Sequence, residues 1–536
     1  MVNMRPIERT ADVKLNTLID IVERHRRKSF PDNPYNPLKY KPRTTFVGLT
    51  NLSFLNCLVW TSEAATTDDT LINPRLRGDF VYEEVRVGTS QGSGKGYESD
   101  FAPIENGLKS LGSIVDRCML KARRKAYNDY YDLLKESGLH SDTHLRNLAS
   151  VERVVSVQNP LQRRIPIQRL KRLARQCSEI LSQQGDDGRV RILAQDEVRR
   201  YVNSQGTVIM DSFFGYHLRF LVTADDEKGR TMEFAQNMYF RDSADMDKQA
   251  ILNFVQNMNR EVQIRKKECP IINSGTYLTL FSPGAMASAL HEAYVHFLPT
   301  DEIVDGSTVW GWENFGGVVS NPRLSVYTDP GMPGEWGSMD FDYEGVPAQR
   351  RALIEEGKVV GYLADREGAE RLHRETGAEI RPGDSRFNIL EDNTSFAAQP
   401  RISNIDFVWK MGKDRKQSLK TEFLRRLHRS GKTGIYIPDD SGAGSLPKSG
   451  EIEVSPNFPY LVTPEGKFIP VKFATMYDTA ARFVKNITEM GSKREYNGHR
   501  CGDDDTMATI RAGILCGGGI VDDVYFNASR PKQKKF

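Results

Sequence analysis

At 536 residues the chain is too long for a single hydrophobic core, so at least two domains are expected. Hydrophobic residues make up 39%, no apolar run is long enough to cross a bilayer, and the opening MVNMRPIERT lacks the apolar stretch of a secretory signal; a soluble, cytoplasmic protein without a membrane partner is expected. The 74 Lys and Arg nearly balance 71 Asp and Glu, and the six cysteines show no C-x-x-C spacing, which argues against a nucleic-acid binder, a disulfide framework and a four-cysteine zinc module.

Residues 11 to 29 predict an amphipathic helix with Leu15, Leu18, Ile19 and Val22 on one face. The basic run His25-Arg26-Arg27-Lys28 complements its C-terminal dipole and reads as a solvated terminus. Pro31 to Pro37 reads as a connecting loop, followed by strands near Thr45 to Trp60 and Phe80 to Val87. Gln91 to Gly96 departs from a phosphate-binding loop twice, at Thr89 and at Gly96, and is expected to be a flexible loop. Residues 104 to 136 carry the longest helical pattern. From Gly188 to Phe240 short alternating stretches, Val190 to Leu193, Tyr201 to Asn203, Thr207 to Met210 and Leu218 to Thr223, predict an antiparallel meander. A helix from about Asp245 to Lys267 and a strand Gly275 to Phe281 follow, and the domain boundary is placed there, dividing 1–268 from 269–536.

Ser282 to Pro299 then reads as one helix: Ser282 can cap its start, Pro283 fits its first turn, and Pro299 marks its end. It carries H-E-x-x-x-H, with His291 and His296 as candidate metal ligands and Glu292 as the base that takes a proton from water. In the familiar H-E-x-x-H spacing two histidines lie about 40° apart around a helix, whereas a spacing of five puts them about 140° apart. The two can share a metal only through a π-bulge, or if the helix loosens so that His296 lies in its last turn, which Leu298-Pro299 favours.

Beyond the helix the chain is rich in Gly and Pro with many short strands, which suggests a β-sandwich or partly closed barrel. The motifs run in order: H-E-A-x-x-H, Gly306-Ser307, Val326 to Asp329, Gly337-Ser338, Asp342-x-Glu344-Gly345-Val346-Pro347, and the hairpin Ile354 to Tyr362. They continue with Gln399 to Asn404, Gly434 to Pro438, Val471-Lys472-x-Ala474-Thr475 and Cys501-Gly502. Together they resemble the TldD family of zinc metallopeptidases, the catalytic partners in TldD/TldE (PmbA) pairs. Roughly residues 190 to 530 fit, and the first 90 are divergent.

The resemblance implies an α+β fold, with N-terminal helices covering a curved antiparallel sheet and a mostly-β catalytic domain holding the zinc helix. It also implies one Zn2+ per active subunit and a dimer-enclosed cavity, formed by two copies or with a TldE/PmbA-like paralogue, in which unfolded, small or modified peptides are cut. The N-terminal domain would serve dimerisation and cavity closure. By the same resemblance Gly442, Ala443 and Gly444 lie by the substrate groove, where exposed backbone suits strand addition, and Arg401 joins them in substrate binding. Phe297 stands where active relatives commonly have Gly, which narrows the pocket or tilts the helix end.

A catalytic zinc takes three protein ligands, so a third is needed. Cys501 is the first choice, because it lies in a glycine-flanked turn and matches the family's cysteine ligand; Cys516 ranks second and His499 third. Asp301-Glu302 is a weak candidate, and His217 is the first suspect should the N-terminal half supply a ligand. Two other readings stand beside the peptidase. One is a metal-dependent amide hydrolase acting on a small natural product; the other is a non-catalytic peptide-binding subunit, against which the intact H-E-x-x-x-H argues.

Overall fold

The structure, a computed structural model, describes residues 7–27, 42–61, 71–89, 92–103, 107–136, 148–159, 165–267, 269–386, 398–411, 418–446, 448–502 and 509–528. Along 42–103 only the backbone is described, and the Pro31 to Pro37 expectation lies outside these residues.

The N-terminal half is built on a seven-stranded sheet. Five long strands, Gly92–Pro103, Leu71–Thr89, Pro42–Thr61, Asp187–Asn203 and Val208–Asp225, lie side by side, each antiparallel to the next. Thr231–Phe240 pairs antiparallel, and Val155–Val157 parallel, along the far side of Val208–Asp225. Two expectations change here. Gly92 to Gly96 is the start of the edge strand, paired with Val85 to Thr89, because a ladder needs only backbone groups from its glycines. The short strands expected between Gly188 and Thr223 merge into two continuous ones turning at Gly206, whose φ is +98°. The charges that break the alternation are accommodated because the C-terminal half covers that face: Glu197 accepts from Arg511, and Arg199 donates to the Asp342 carbonyl.

The two faces of this sheet have different fates. Val190, Ile192, Ala194, Tyr216, Leu218, Phe220 and Val222 are buried under the helices Ile167–Leu181 and Lys248–Lys266. Val202, Val208 and Met210 on the same face pack against Val13–Arg27 and Gly107–Glu136. The alternate residues, among them Glu197, Tyr201 and Phe213, look toward the C-terminal half; Tyr201 donates to the Glu344 carbonyl at 2.8 Å. A buried ion pair ties the halves together: Lys472, 4% exposed, donates to Asp226 at 2.8 Å and to the carbonyls of Arg265 and Lys267. Arg265 beside it is clasped by the rings of Phe458 and Tyr460.

The C-terminal half is mostly β, organised by a thirteen-stranded mixed sheet that does not close into a barrel. At its centre Thr509–Asn527 has the strand Ile487–Gly502 along one edge and, end to end along the other, Asn404–Trp409 and Gly275–Phe281. The helix Pro283–Tyr294 follows directly from Gly275–Phe281. Every residue from Ala285 to Tyr294 is buried, and Met286, Leu290 and Tyr294 share a core with Val326, Phe407 and Ile514. A helix apolar on nearly all sides requires such surroundings, and they hold its few polar side chains rigidly. No described helix is long and apolar enough to cross a membrane.

Candidate metal centre

The helix begins as its sequence directs. The Ser282 hydroxyl accepts from the Ala285 N–H at 3.2 Å and donates to the Pro438 carbonyl at 2.6 Å, with Pro283 in the first turn. The α-helix stops at Tyr294, where φ is −123°, and a 3₁₀ turn Val295–Phe297 carries His296. This loosening swings His296 back toward His291, so that their Nε2 atoms stand 3.0 Å apart with the rings at 72°. Phe297 is buried against Trp310 in the core, so its ring anchors the helix end.

Across from the helix, alternation along Ile487–Gly502 turns His499 and Cys501 to one face. The Cys501 sulfur lies 3.7 Å from His296 Nε2, and the donor atoms of His291, His296 and Cys501 all fall within 4.8 Å of one another. Tetrahedral zinc with ordinary bond lengths needs donor separations of about 3.3 Å between nitrogens and about 3.6 Å between nitrogen and sulfur, so these three residues fit the ion. Glu292 Oε2 stands 3.8 Å from His296 Nε2. His499, its ring 5.6 Å from that of His291, lies outside the group, as do Asp301 and Glu302. Cys516 sits at the opposite end of the helix, its sulfur 3.4 Å from the Pro283 carbonyl, and burial pushes its thiol pKa up. His217 is also elsewhere, stacked on Tyr239 and 2.9 Å from Asn237 Oδ1.

Two further placements depend on contacts far apart in sequence. Arg401 donates to the Gly502 carbonyl at 2.5 Å and reaches the Cys501 sulfur at 3.5 Å, which fixes the strand end that carries the third donor. The Trp336 indole N–H donates to the His499 carbonyl at 3.2 Å, and no local pattern announces it. Gly442, Ala443 and Gly444 lie in the strand Asp440–Leu446, paired with Glu451–Pro456 and packed near the helix.

Electrostatics favour neutral imidazoles. Burial, followed by His296, His499 and Arg401, drives the His291 pKa well below its ordinary value, and burial with Arg401 lowers His296 to about 3. A neutral ring nitrogen is the form that binds a metal. Nearby Asp301 moves the other way: burial, then Asp365 and Glu302, raises it from 3.8 to about 7. A carboxyl with a higher pKa folded than unfolded takes up a proton on folding, so stability is lost as pH rises between those values. Asp301→Asn is therefore expected to stabilise the protein at pH 8 by about 2 kcal/mol, the full shift being discounted for partial exposure, and to change little at pH 4. Thermal unfolding at the two pH values measures the difference.

Residues 274–521 match the family model described as the PmbA/TldA metallopeptidase C-terminal domain. These residues carry a C-terminal domain of the PmbA/TldD family. Among curated relatives, a metalloprotease of Synechocystis is 27% identical over 175 residues, 32% of this chain and 36% of that protein. A protein named metalloprotease TldD homolog from Buchnera aphidicola is 26% identical over 243 residues, 45% of this chain and 46% of its own. The chain thus aligns with between a third and a half of the length of these relatives. In fold it is similar to TldE from Thermococcus kodakarensis, with a TM-score of 0.59 at 13% identity, covering 90% of this chain and 96% of that one.

Proposed function

We propose that this protein is a zinc-dependent peptidase of the PmbA/TldD family acting on unfolded or small peptides, modified ones included. The observation that carries this reading is the convergence of His291, His296 and Cys501 within 4.8 Å, with the Glu292 carboxylate beside them. Two nitrogens and a sulfur suit zinc and leave one tetrahedral position open. Zinc held there would supply a Lewis acid for the scissile carbonyl and make water more acidic. Glu292 takes the proton of the attacking water and hands it to the leaving amine. Neutral His291 and His296 stay unprotonated through this, since burial opposes any positive charge on them.

Asp440–Leu446 has a single paired neighbour among the described residues, and its free side suits an extended peptide added as a further strand. In this reading residues 269–536 supply all three donors and the base, while 1–268 serves dimerisation and closes the cavity. Pairing with a second copy or with a TldE-like partner is supported by the fold likeness to TldE, and the exposed Trp312, Phe315 and Val318 offer apolar surface for it. None of the five described cysteines is in a disulfide.

The test is to strip the full-length protein of metal, restore zinc, and offer a fluorogenic peptide library beside a set of small amides. Peptide turnover that appears only with zinc is expected. Turnover confined to small amides would favour the natural-product hydrolase, and turnover of neither the non-catalytic subunit.

A further inference from the structure

The third donor has a cation built against it. One terminal nitrogen of Arg401 donates to the Gly502 carbonyl at 2.5 Å and reaches the Cys501 sulfur at 3.5 Å. A guanidinium NH2 carries a separate N–H for each acceptor. The same sulfur lies 3.7 Å from His296 Nε2, so the guanidinium touches the donor group itself.

Both ends of this contact are anchored. Arg401 follows the short strand Gln399–Pro400, which pairs with Ser385–Arg386, and its backbone N–H donates to the Asp384 carbonyl at 2.9 Å. Asp384 is buried, its carboxylate accepting from the Ala364 N–H at 2.9 Å and from the Thr328 hydroxyl at 3.2 Å. A few residues on, Asn404–Trp409 runs parallel to Thr509–Asn527, the strand whose Ile510 is the cross-strand partner of Cys501. The root of Arg401 and the sulfur are thus fixed in one sheet, and a planar guanidinium gives up less freedom per hydrogen bond than an ammonium on a flexible stem.

A cation in this place answers a weakness of the donor set. A thiolate gives a metal more charge than an imidazole does, which blunts the pull of zinc on a substrate carbonyl. A charge-assisted hydrogen bond to the sulfur draws part of that charge back, as hydrogen bonding around the cysteine does at copper–thiolate centres. We infer that Arg401 is a positioning residue for the metal thiolate: it holds Cys501 in the donor group and, by donating to the sulfur, keeps zinc an effective Lewis acid despite a sulfur ligand. The inference rests on the reading of His291, His296 and Cys501 as zinc ligands, and it assigns Arg401 to the metal and not to the peptide.

Cobalt(II) in place of zinc makes the sulfur visible, through a sulfur-to-metal charge-transfer band in the near ultraviolet. Full-length wild type, Arg401→Met and Arg401→Lys would be compared after metal exchange. Without the N–H donor the sulfur electrons are held less tightly, so the band of Arg401→Met should move to longer wavelength. Arg401→Lys keeps a charge and a donor, and its band should fall between the two. Cobalt affinity, read by chelator competition, should drop about ten-fold in Arg401→Met, within the range for removing a hydrogen-bond partner of a metal ligand. A band that stays at the wild-type position in Arg401→Met overturns the inference even if affinity or peptide binding falls, because a merely structural or a substrate-binding arginine leaves the sulfur electrons alone. If Arg401→Met does not fold or holds no cobalt, Arg401→Gln, polar but uncharged, is read in the same way. Failure of the underlying readings would be seen separately: a wild type that takes up no cobalt refutes the metal centre, and metal bound without peptide turnover refutes the peptidase.

Discussion

Glu292→Gln is expected to lower peptide turnover by about 10³-fold, within the range for removing a general base, while zinc content stays at the wild-type level. Glu292 directly follows His291 and so projects about 100° away from it around the helix. Its Oε2 lies 3.8 Å from His296 Nε2, which places the carboxylate beside the proposed donors, where the proposed base would stand. Glutamine keeps the size and some of the hydrogen bonding of the side chain but cannot accept the proton. Kinetic assay paired with elemental analysis separates the roles. Loss of zinc in the variant would make Glu292 a ligand and leave the base unassigned.

Cys501→Ser carries the second large effect. It replaces the one sulfur donor of the group with a hydroxyl that zinc binds poorly, so zinc occupancy should fall by at least ten-fold and turnover should disappear. Cys516→Ser is the matched control. Its sulfur faces the Pro283 carbonyl at the far end of the same helix, where a hydroxyl can make the same bond, so zinc content should be unchanged. If the Cys516 variant loses zinc and the Cys501 variant keeps it, the metal site has been placed at the wrong end of the helix.

Much of this arrangement was legible in the sequence because its signals are local. Ser282 and Pro283 mark the helix start, and Leu298-Pro299 pointed to the loosened turn that brings His296 round to His291, although the α-helix itself already stops at Tyr294, short of the Pro299 expected to end it. The α+β character was legible too, since alternation and helical spacing are properties of short windows. The length of the strands Asp187–Asn203 and Val208–Asp225 was not. Glu197 and Arg199 look like breaks in a strand until Arg511 and the Asp342 carbonyl, more than a hundred residues away, are seen to satisfy them. The Gly92 to Gly96 strand failed for the opposite reason: composition resembles a loop, and only the partner strand supplies the ladder. Arg401 on Cys501 and Trp336 on the His499 carbonyl likewise depend on tertiary contacts that no spacing encodes.

The most direct measurement of the central claim is X-ray absorption at the zinc edge on the purified, zinc-loaded full chain. The account predicts about one zinc per chain, with one sulfur neighbour at about 2.3 Å and two imidazole nitrogens at about 2.0–2.1 Å, the sulfur vanishing in Cys501→Ser. A shell of nitrogen and oxygen alone, or a sulfur neighbour that survives Cys501→Ser, would contradict it.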